Sequence, residues 1–315
     1  FGEYTKEEYL SLEEDKFQKI VCAYLAEYAV KYFGEEQLES NSFTYRLKTI
    51  LDNVMYLMKH IMEELSQSEF FVADCELKIG EDIPSYTIVL PDGHKIAVCG
   101  SVDRVDIMQR ADITYLRIID YKTGKKQFKL SDILYGINLQ MLLYLHSIEA
   151  SGGDKYGEIV PAGILYMPAT VPYISSDSLK SIDKLPDELN KELKMNGLLL
   201  KDTEIIHGMD KTDVATYIPV KIKAGEPVSS TSLATLAEFG KIFKKVDMLI
   251  AEMGKNIYNG NIEAKPLKGG HDSCEYCPYD SVCAYRQSNP ITCFSVDNKT
   301  VIEEITNEIN GKEEE

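Results

Sequence analysis

Basic side chains are the minority in this sequence. Its 315 residues carry 34 Lys and Arg against 51 Asp and Glu, a formal charge of −17. That balance excludes a sequence-blind grip on nucleic acid by the whole surface, although nearby charges can still make a local basic groove. No stretch reaches the roughly 18 uninterrupted apolar residues of a membrane helix, so no membrane partner is expected. No basic leader segment opens the chain, and its first residue is Phe1 rather than Met. It reads as a piece of a longer polypeptide. A G-x-x-x-x-G-K-[ST] phosphate loop is missing too, which places any ATP-driven step elsewhere. There is no internal repeat. The cysteines number seven. An odd count without a secretory leader does not make a disulfide framework, and a reducing, cytoplasmic compartment is expected.

What is present is an ordinary globular composition, 44% hydrophobic and 27% charged, long enough for two domains or one elaborated domain. Residues 1–70 read as a helical lead-in, with apolar residues at helical spacing through Phe17, Ile20, Val21 and Tyr24 and again through Leu47, Ile50, Leu51 and Val54. From about residue 71 the period becomes two, and residues 71–170 form the core. Its strands are expected at 76–79, 86–90, 95–107 and 115–121, with a helix over 132–148 and a buried strand at 162–167. Residues 171–230 read as an insertion with short elements. Residues 231–295 hold a C-terminal helix and a cysteine cluster. Residues 296–315 form an acidic tail, expected to be frayed or disordered because residues 303–315 carry six Glu. The fold class is α/β, a mixed central sheet with an N-terminal helical layer.

The chemistry lies in Gly100-Ser101-Val102-Asp103-Arg104-Val105-Asp106 and Ile118-Ile119-Asp120-Tyr121-Lys122. Asp103 and Asp120 sit on two strands joined by a short turn, so antiparallel pairing can bring the carboxylates together. Two close carboxylates repel, and a divalent cation relieves the repulsion. Asp120 and Lys122 share a strand face. A Lys beside a metal can steady an attacking water or phosphate charge. Tyr121 points the other way but leaves its carbonyl for a metal. Gln140 and Tyr144 follow at i, i+4 on a helix, both able to hydrogen-bond a nucleic-acid backbone. Lys122, Lys125, Lys126 and Lys129 make a local basic run in an acidic protein, a candidate phosphate-contacting lip. Glu76, on the preceding strand, is read as structural.

This ordered set resembles the PD-(D/E)XK nuclease superfamily in its RecB-like branch, and within it the AddB-type domains of helicase–nucleases. The resemblance implies a restriction-endonuclease-like core across 71–170. It implies an exodeoxyribonuclease in which Asp103, Asp120 and the Tyr121 carbonyl hold Mg²⁺, Lys122 is catalytic, and Gln140 and Tyr144 position DNA with Lys125 and Lys126. It also implies single-stranded DNA ends as substrate, an AddA-type helicase–nuclease partner, and a role in double-strand break repair by recombination. The family usually carries a metal-binding His on an early helix. Neither His60 nor His94 has the expected setting, and that His is expected upstream of Phe1. The alternative reading is a catalytically silent DNA-binding or scaffold domain.

Cys274, Cys277 and Cys283 form C-x2-C-x5-C. Soft thiolates at this spacing select zinc or an iron–sulfur cluster, and spacing does not separate the two. The resemblance implies a 4Fe–4S cluster whose fourth Cys lies upstream of the nuclease motifs. Cys22 does not match that position and Cys293 reads as packing. The cluster is therefore expected in the full-length protein and incomplete or absent in this chain.

Overall fold

Alternating β-branched and polar residues after position 70 build the sheet on which everything else rests. The computed structural model describes residues 4–124, 126–172, 185–229, 231–283, 285 and 290–313. The helices are α1 (Lys6–Leu10), α2 (Glu14–Phe33), α3 (Glu35–Leu38), α4 (Asn41–Ser66), α5 (Gln140–Ser151), α6 (Gly153–Tyr156), α7 (Leu185–Leu193), α8 (Thr203–Met209), α9 (Leu236–Tyr258), α10 (Asp280–Cys283) and α11 (Asn298–Glu313). The strands are β1 (Phe71–Ile79), β2 (Tyr86–Val89), β3 (Lys95–Val98), β4 (Gly100–Arg110), β5 (Ile113–Lys122), β6 (Glu158–Pro168), β7 (Asn196–Leu200), β8 (Lys221–Lys223), β9 (Glu226–Val228), β10 (Leu233–Ala234), β11 (Leu267–Gly269) and β12 (Ile291–Cys293). None of the described helices is long and apolar enough to cross a membrane.

Six strands form the central sheet in the order β1-β4-β5-β6-β7-β10. β1, β4 and β5 run antiparallel to their neighbours, β5 and β6 are parallel, β6 and β7 are antiparallel, and β7 and β10 are parallel. The parallel β5–β6 pair requires a crossover, which α5 supplies. This is the mixed α/β architecture expected from the pattern. Its core runs through Val105, Leu116, Ile118, Ile119, Leu145, Ile164, Leu165 and Leu198.

Several elements differ from the sequence reading. The helix expected over 132–148 is a 3-10 turn at Leu130–Tyr135 and then α5. Gly136 and Asn138 between them adopt positive φ, +68° and +54°, which an α-helix cannot contain. The strand expected over 95–107 breaks at Cys99 into β3 and β4. Within the stretch read as an insertion, β7 is an interior strand of the sheet, and Leu198 and Leu199 are fully buried. Residues 173–184 of that stretch lie outside the described residues. The acidic tail is not frayed over 298–313. Val301 and Ile305 are completely buried in α11, which packs on α9, and Lys245 pairs with Glu308 at 2.5 Å. One apolar stripe on an otherwise acidic helix outweighs its charge.

The β2–β3 hairpin is tied to α5 and α9 by a polar cluster. Tyr86 donates to Asp247 at 3.0 Å, His146 Nε2 lies 3.2 Å from Asp247 and its Nδ1 3.3 Å from Glu149, and the His146 ring stacks on Phe243 at 4.6 Å. Burial alone would lower the His146 pKa, but its hydrogen bonds to Asp247 and Glu149 raise it to about 9. A base whose folded pKa is raised contributes stability below its unfolded pKa and loses it as pH rises through the folded one. The contribution, at most about 3 kcal/mol, is present at pH 6 and lost by pH 10. His146→Gln is expected to flatten the pH dependence of urea unfolding across that window. An unchanged slope would remove His146 from the account.

Candidate active site

Strand register brings the site together. β4 and β5 are joined by a two-residue turn, with Arg110 opposite Ile113 and Arg104 opposite Ile119. One step further along that ladder puts Asp103 opposite Asp120. On the other side, Cys75 pairs with Arg104 and Leu77 with Val102, so Glu76 falls opposite Asp103. Asp120 in turn pairs with Tyr166, and Tyr166 with Asn196. A single row of polar residues, Glu76–Asp103–Asp120–Tyr166–Asn196, thus crosses five strands.

Each member is held locally. Asp103 Oδ2 accepts the Tyr121 backbone N–H at 2.9 Å, which turns the carboxylate toward β5. Burial lifts the Asp103 carboxyl above the usual carboxylate range; the Tyr121 N–H opposes the shift, Asp120 and Glu76 add to it, and Lys122 offsets it. Asp120 is 5% exposed. Its Oδ2 lies 2.5 Å from Lys122 Nζ, but outside hydrogen-bonding geometry, and this buried oxygen has no other partner among the described residues. Lys122 is thereby placed as the sequence predicts, on the face of Asp120. Glu76 sits at φ +55°, a conformation costly for a side-chain-bearing residue, and accepts from Ser101 at 3.1 Å. Spacing alone assigns it a structural role and does not reveal its place in the row. Sequence reasoning misses Tyr166 and Asn196 altogether. Asn196 fixes the loop after β5, accepting from Phe128 N at 2.7 Å and donating to the Lys126 carbonyl at 2.8 Å.

Gln140 is exposed on the first turn of α5, and Tyr144 is half-buried one turn on. The Tyr144 hydroxyl lies over Gly100, at the start of the strand that carries Asp103, where a Cβ would overlap it. Gly100→Ala is therefore expected to cost about 1–3 kcal/mol by overpacking. Adding Tyr144→Ala should relieve most of that cost in urea unfolding. Additive losses in the double variant would show that the two positions do not meet. Lys126 Nζ sits 4.9 Å from the Tyr166 ring centroid, and Lys122 Nζ 5.8 Å. Lys125 lies outside the described residues.

A paired Asp–Asp row with Asp-x-Lys on the second strand, followed by a crossover helix, also carries a match to known proteins. The family model described as the PD-(D/E)XK nuclease superfamily covers residues 4–284. The chain belongs to the PD-(D/E)XK nuclease superfamily. It is 38% identical over 246 residues to the B-type ATP-dependent helicase/deoxyribonuclease subunit of Thermoanaerobacter sp. (strain X514), covering 76% of this chain and 21% of that protein. It is 36% identical over 275 residues to the protein of that name from Alkaliphilus oremlandii, covering 84% and 24%. The corresponding values for Alkaliphilus metalliredigens are 32% over 303 residues, 91% and 26%. The chain thus spans about a fifth to a quarter of the curated relatives it matches.

The PD-(D/E)XK assignment gives the donor set its test against a divalent metal. Magnesium is usually held by one or two carboxylates and several waters. Two facing carboxylates fit it, one raised in pKa and the other with a buried oxygen lacking a hydrogen bond. Among the described residues no group of three or more His, Cys, Asp or Glu side chains converges on a common point. Neither histidine weighed in the sequence enters this PD-(D/E)XK site. His60 is buried on α4 against Tyr217, its pKa lowered by burial. His94 is exposed and stacked on Tyr258 at 4.2 Å. Cys274 and Cys277 are half-buried in turns and Cys283 is exposed at the end of α10. As placed, the three thiols do not fit a cluster with any fourth cysteine, since none of the seven converge in threes. Cys293 is buried in β12, in the packing role read for it.

Proposed function

We propose that this chain is a metal-dependent exodeoxyribonuclease domain that hydrolyses phosphodiester bonds at single-stranded DNA ends. The observation that carries the reading is the Asp103–Asp120 pair with Lys122 against the buried Asp120 oxygen. Asp103, Asp120 and the Tyr121 carbonyl would hold Mg²⁺. When bound, the ion neutralises charge on the scissile phosphate and makes a water acidic enough to attack. Lys122, already drawn to Asp120, would keep its ammonium beside the attacked phosphorus and hold the attacking water or the developing negative charge. Gln140 and Tyr144 would orient the strand from the first two turns of α5. No covalent enzyme intermediate is required.

The printed names of the relatives, B-type subunits of an ATP-dependent helicase/deoxyribonuclease, extend the proposal. The domain would work inside a helicase–nuclease with an AddA-type partner, in the cytoplasm, on ends generated during break repair by recombination. In that longer protein the C-x2-C-x5-C run would hold three sites of a 4Fe–4S cluster. The test is degradation of labelled single-stranded DNA by the chain with Mg²⁺ or Mn²⁺ and after chelation. Activity that persists equally in Asp120→Asn and Lys122→Ala would eliminate the mechanism. Binding without cleavage under every metal condition would favour a silent DNA-binding scaffold.

A further inference from the structure

The acidic surface is interrupted next to the site. A cavity of about 390 Å³ opens from Lys122 and is lined also by Lys126, Tyr166, Lys191 and Lys194. A second, of about 770 Å³, begins at the same Lys194 and continues past Lys221 and Lys223. Lys194 is the common wall, so the two form one continuous path leading away from the Asp103–Asp120 pair. The second cavity has no acidic residue in its lining. In a chain of charge −17 this is a concentration of one sign in one place.

Like charges are crowded along the path. Burial and the neighbouring Lys122 hold the Lys126 ammonium below its ordinary pKa. Burial, and Lys221 among its neighbours, do the same at Lys194. Lys194 donates to the Ala215 and Val220 carbonyls at 2.6 and 3.1 Å, which fixes it as a wall, while Lys221 and Lys223 alternate to the same exposed face of β8. Near the site end, Tyr166 is 2% exposed, and its buried hydroxyl has no partner among the described residues. An orphaned buried O–H is a donor waiting for an acceptor. Crowded ammonium groups and an unpaired donor ask for the same ligand, a chain of anionic oxygens spaced along a line. A single nucleic-acid strand supplies that, with one phosphate per nucleotide.

We propose that Lys126, Lys191, Lys221 and Lys223 form a track for the phosphate backbone of a single DNA strand, with the Tyr166 hydroxyl as the positioning donor at its active-site end. The proposal rests on the nuclease reading for the direction of the strand, but not for its binding. The track sets which nucleotides beyond the scissile bond contribute affinity, and it predicts that long strands bind better than short ones.

The experiment measures fluorescence anisotropy of end-labelled dT20 and dT6 with the 315-residue chain in chelator, between 50 and 200 mM salt. Lys221→Ala/Lys223→Ala is expected to weaken dT20, leave dT6 unchanged, and make the salt slope shallower by about 1.4, from about 0.7 for each phosphate no longer neutralised. Over that fourfold salt range the unmodified chain should then lose about sevenfold more affinity than the variant. Lys16→Ala/Lys19→Ala, on exposed residues of α2, removes the same charge far from the track and should leave the slope unchanged. Tyr166→Phe should weaken dT6 and dT20 alike. Equal slopes in the two lysine variants would overturn the track, as would tighter binding of a duplex of equal length. If the slope falls as expected but Mg²⁺ elicits no cleavage, the track stands and the catalytic reading alone fails.

Discussion

Asp120→Asn is expected to reduce Mg²⁺-dependent degradation of single-stranded DNA on the order of a thousandfold or more, while leaving the fold intact. The substitution preserves shape and volume at a position that is 5% exposed, so the packing around Ile118, Ile119 and Tyr166 has no cause to change. What changes is charge. Asp103 and Asp120 face each other, and the Asp103 carboxyl is already held above its ordinary range by burial, with Asp120 among the contributors. An amide at 120 leaves one carboxylate where a doubly charged cation needs two. It also puts an N–H donor beside the Lys122 ammonium, which now lies 2.5 Å from a carboxylate oxygen, so the lysine loses its anchor. Lys122→Ala should lose cleavage too, but by a different route, because both carboxylates remain. Metal-dependent thermal stabilisation would therefore survive in Lys122→Ala and vanish in Asp120→Asn. Strand release from an end-labelled oligonucleotide, read beside a melting curve in Mg²⁺ and in chelator, separates the two variants. Asp120→Asn activity within tenfold of the unmodified chain would end the proposed mechanism.

That pair is legible in the sequence for a physical reason. Residues on two strands joined by a two-residue turn are placed by alternation alone, so the spacing of Asp103, Asp120 and Lys122 carries its own geometry. The placement of Gln140 and Tyr144 on one helix face needs only the helical period. The rest of the row depends on pairing between strands far apart in the chain. Asp120 meets Tyr166 through a parallel crossover, and Tyr166 meets Asn196 across residues that include an undescribed segment. Nothing local to Asn196 announces this, which is why the stretch around it reads as an insertion. For Glu76 the sequence shows the strand but not the positive φ at the position facing Asp103. The cysteine run shows the converse. Its spacing is a strong local signal, yet spacing does not bring side chains to one point, and among the described residues these three do not converge. Glu64 is hidden differently: at its position in α4 it reads as the polar face of an amphipathic helix, yet it is completely buried.

Glu64→Ala should be the most destabilising single change in the chain, by about 3–5 kcal/mol. The residue completes a closed cluster of two guanidinium groups and two carboxylates on the face of β4 and β5 opposite Asp103. Arg104 binds Asp106 through two bonds of 2.7 and 2.6 Å and reaches Glu64 at 3.1 Å. Arg117 donates to Asp106 at 3.0 Å and to Glu64 at 2.6 Å, with its guanidinium 5.0 Å from the Phe70 ring centroid. All four side chains are fully excluded from solvent. As a balanced set of four the cluster can be close to neutral in stability, since attraction mostly offsets desolvation. Removing one carboxylate leaves two buried cations sharing Asp106 alone, and neither can ionise away. Asp106 gives the cluster its pH signature. Burial would raise its carboxyl, but Arg104 and Arg117 outweigh that and hold it below the usual carboxylate range. A carboxylate with a lowered folded pKa contributes stability above its unfolded pKa and loses it as pH falls through the folded one, so the cluster favours neutral over acidic conditions. In a domain of this size the Glu64→Ala loss corresponds to a fall in melting temperature of about 10 °C at neutral pH. Replacing Glu64, Arg104, Asp106 and Arg117 together by apolar residues of similar volume should restore much of it, because no charge is then left unpaired. A Glu64→Ala midpoint within about 1 °C of the unmodified chain would mean that water reaches this cluster. The rigid backing that the cluster gives to the strand carrying Asp103 would then be absent.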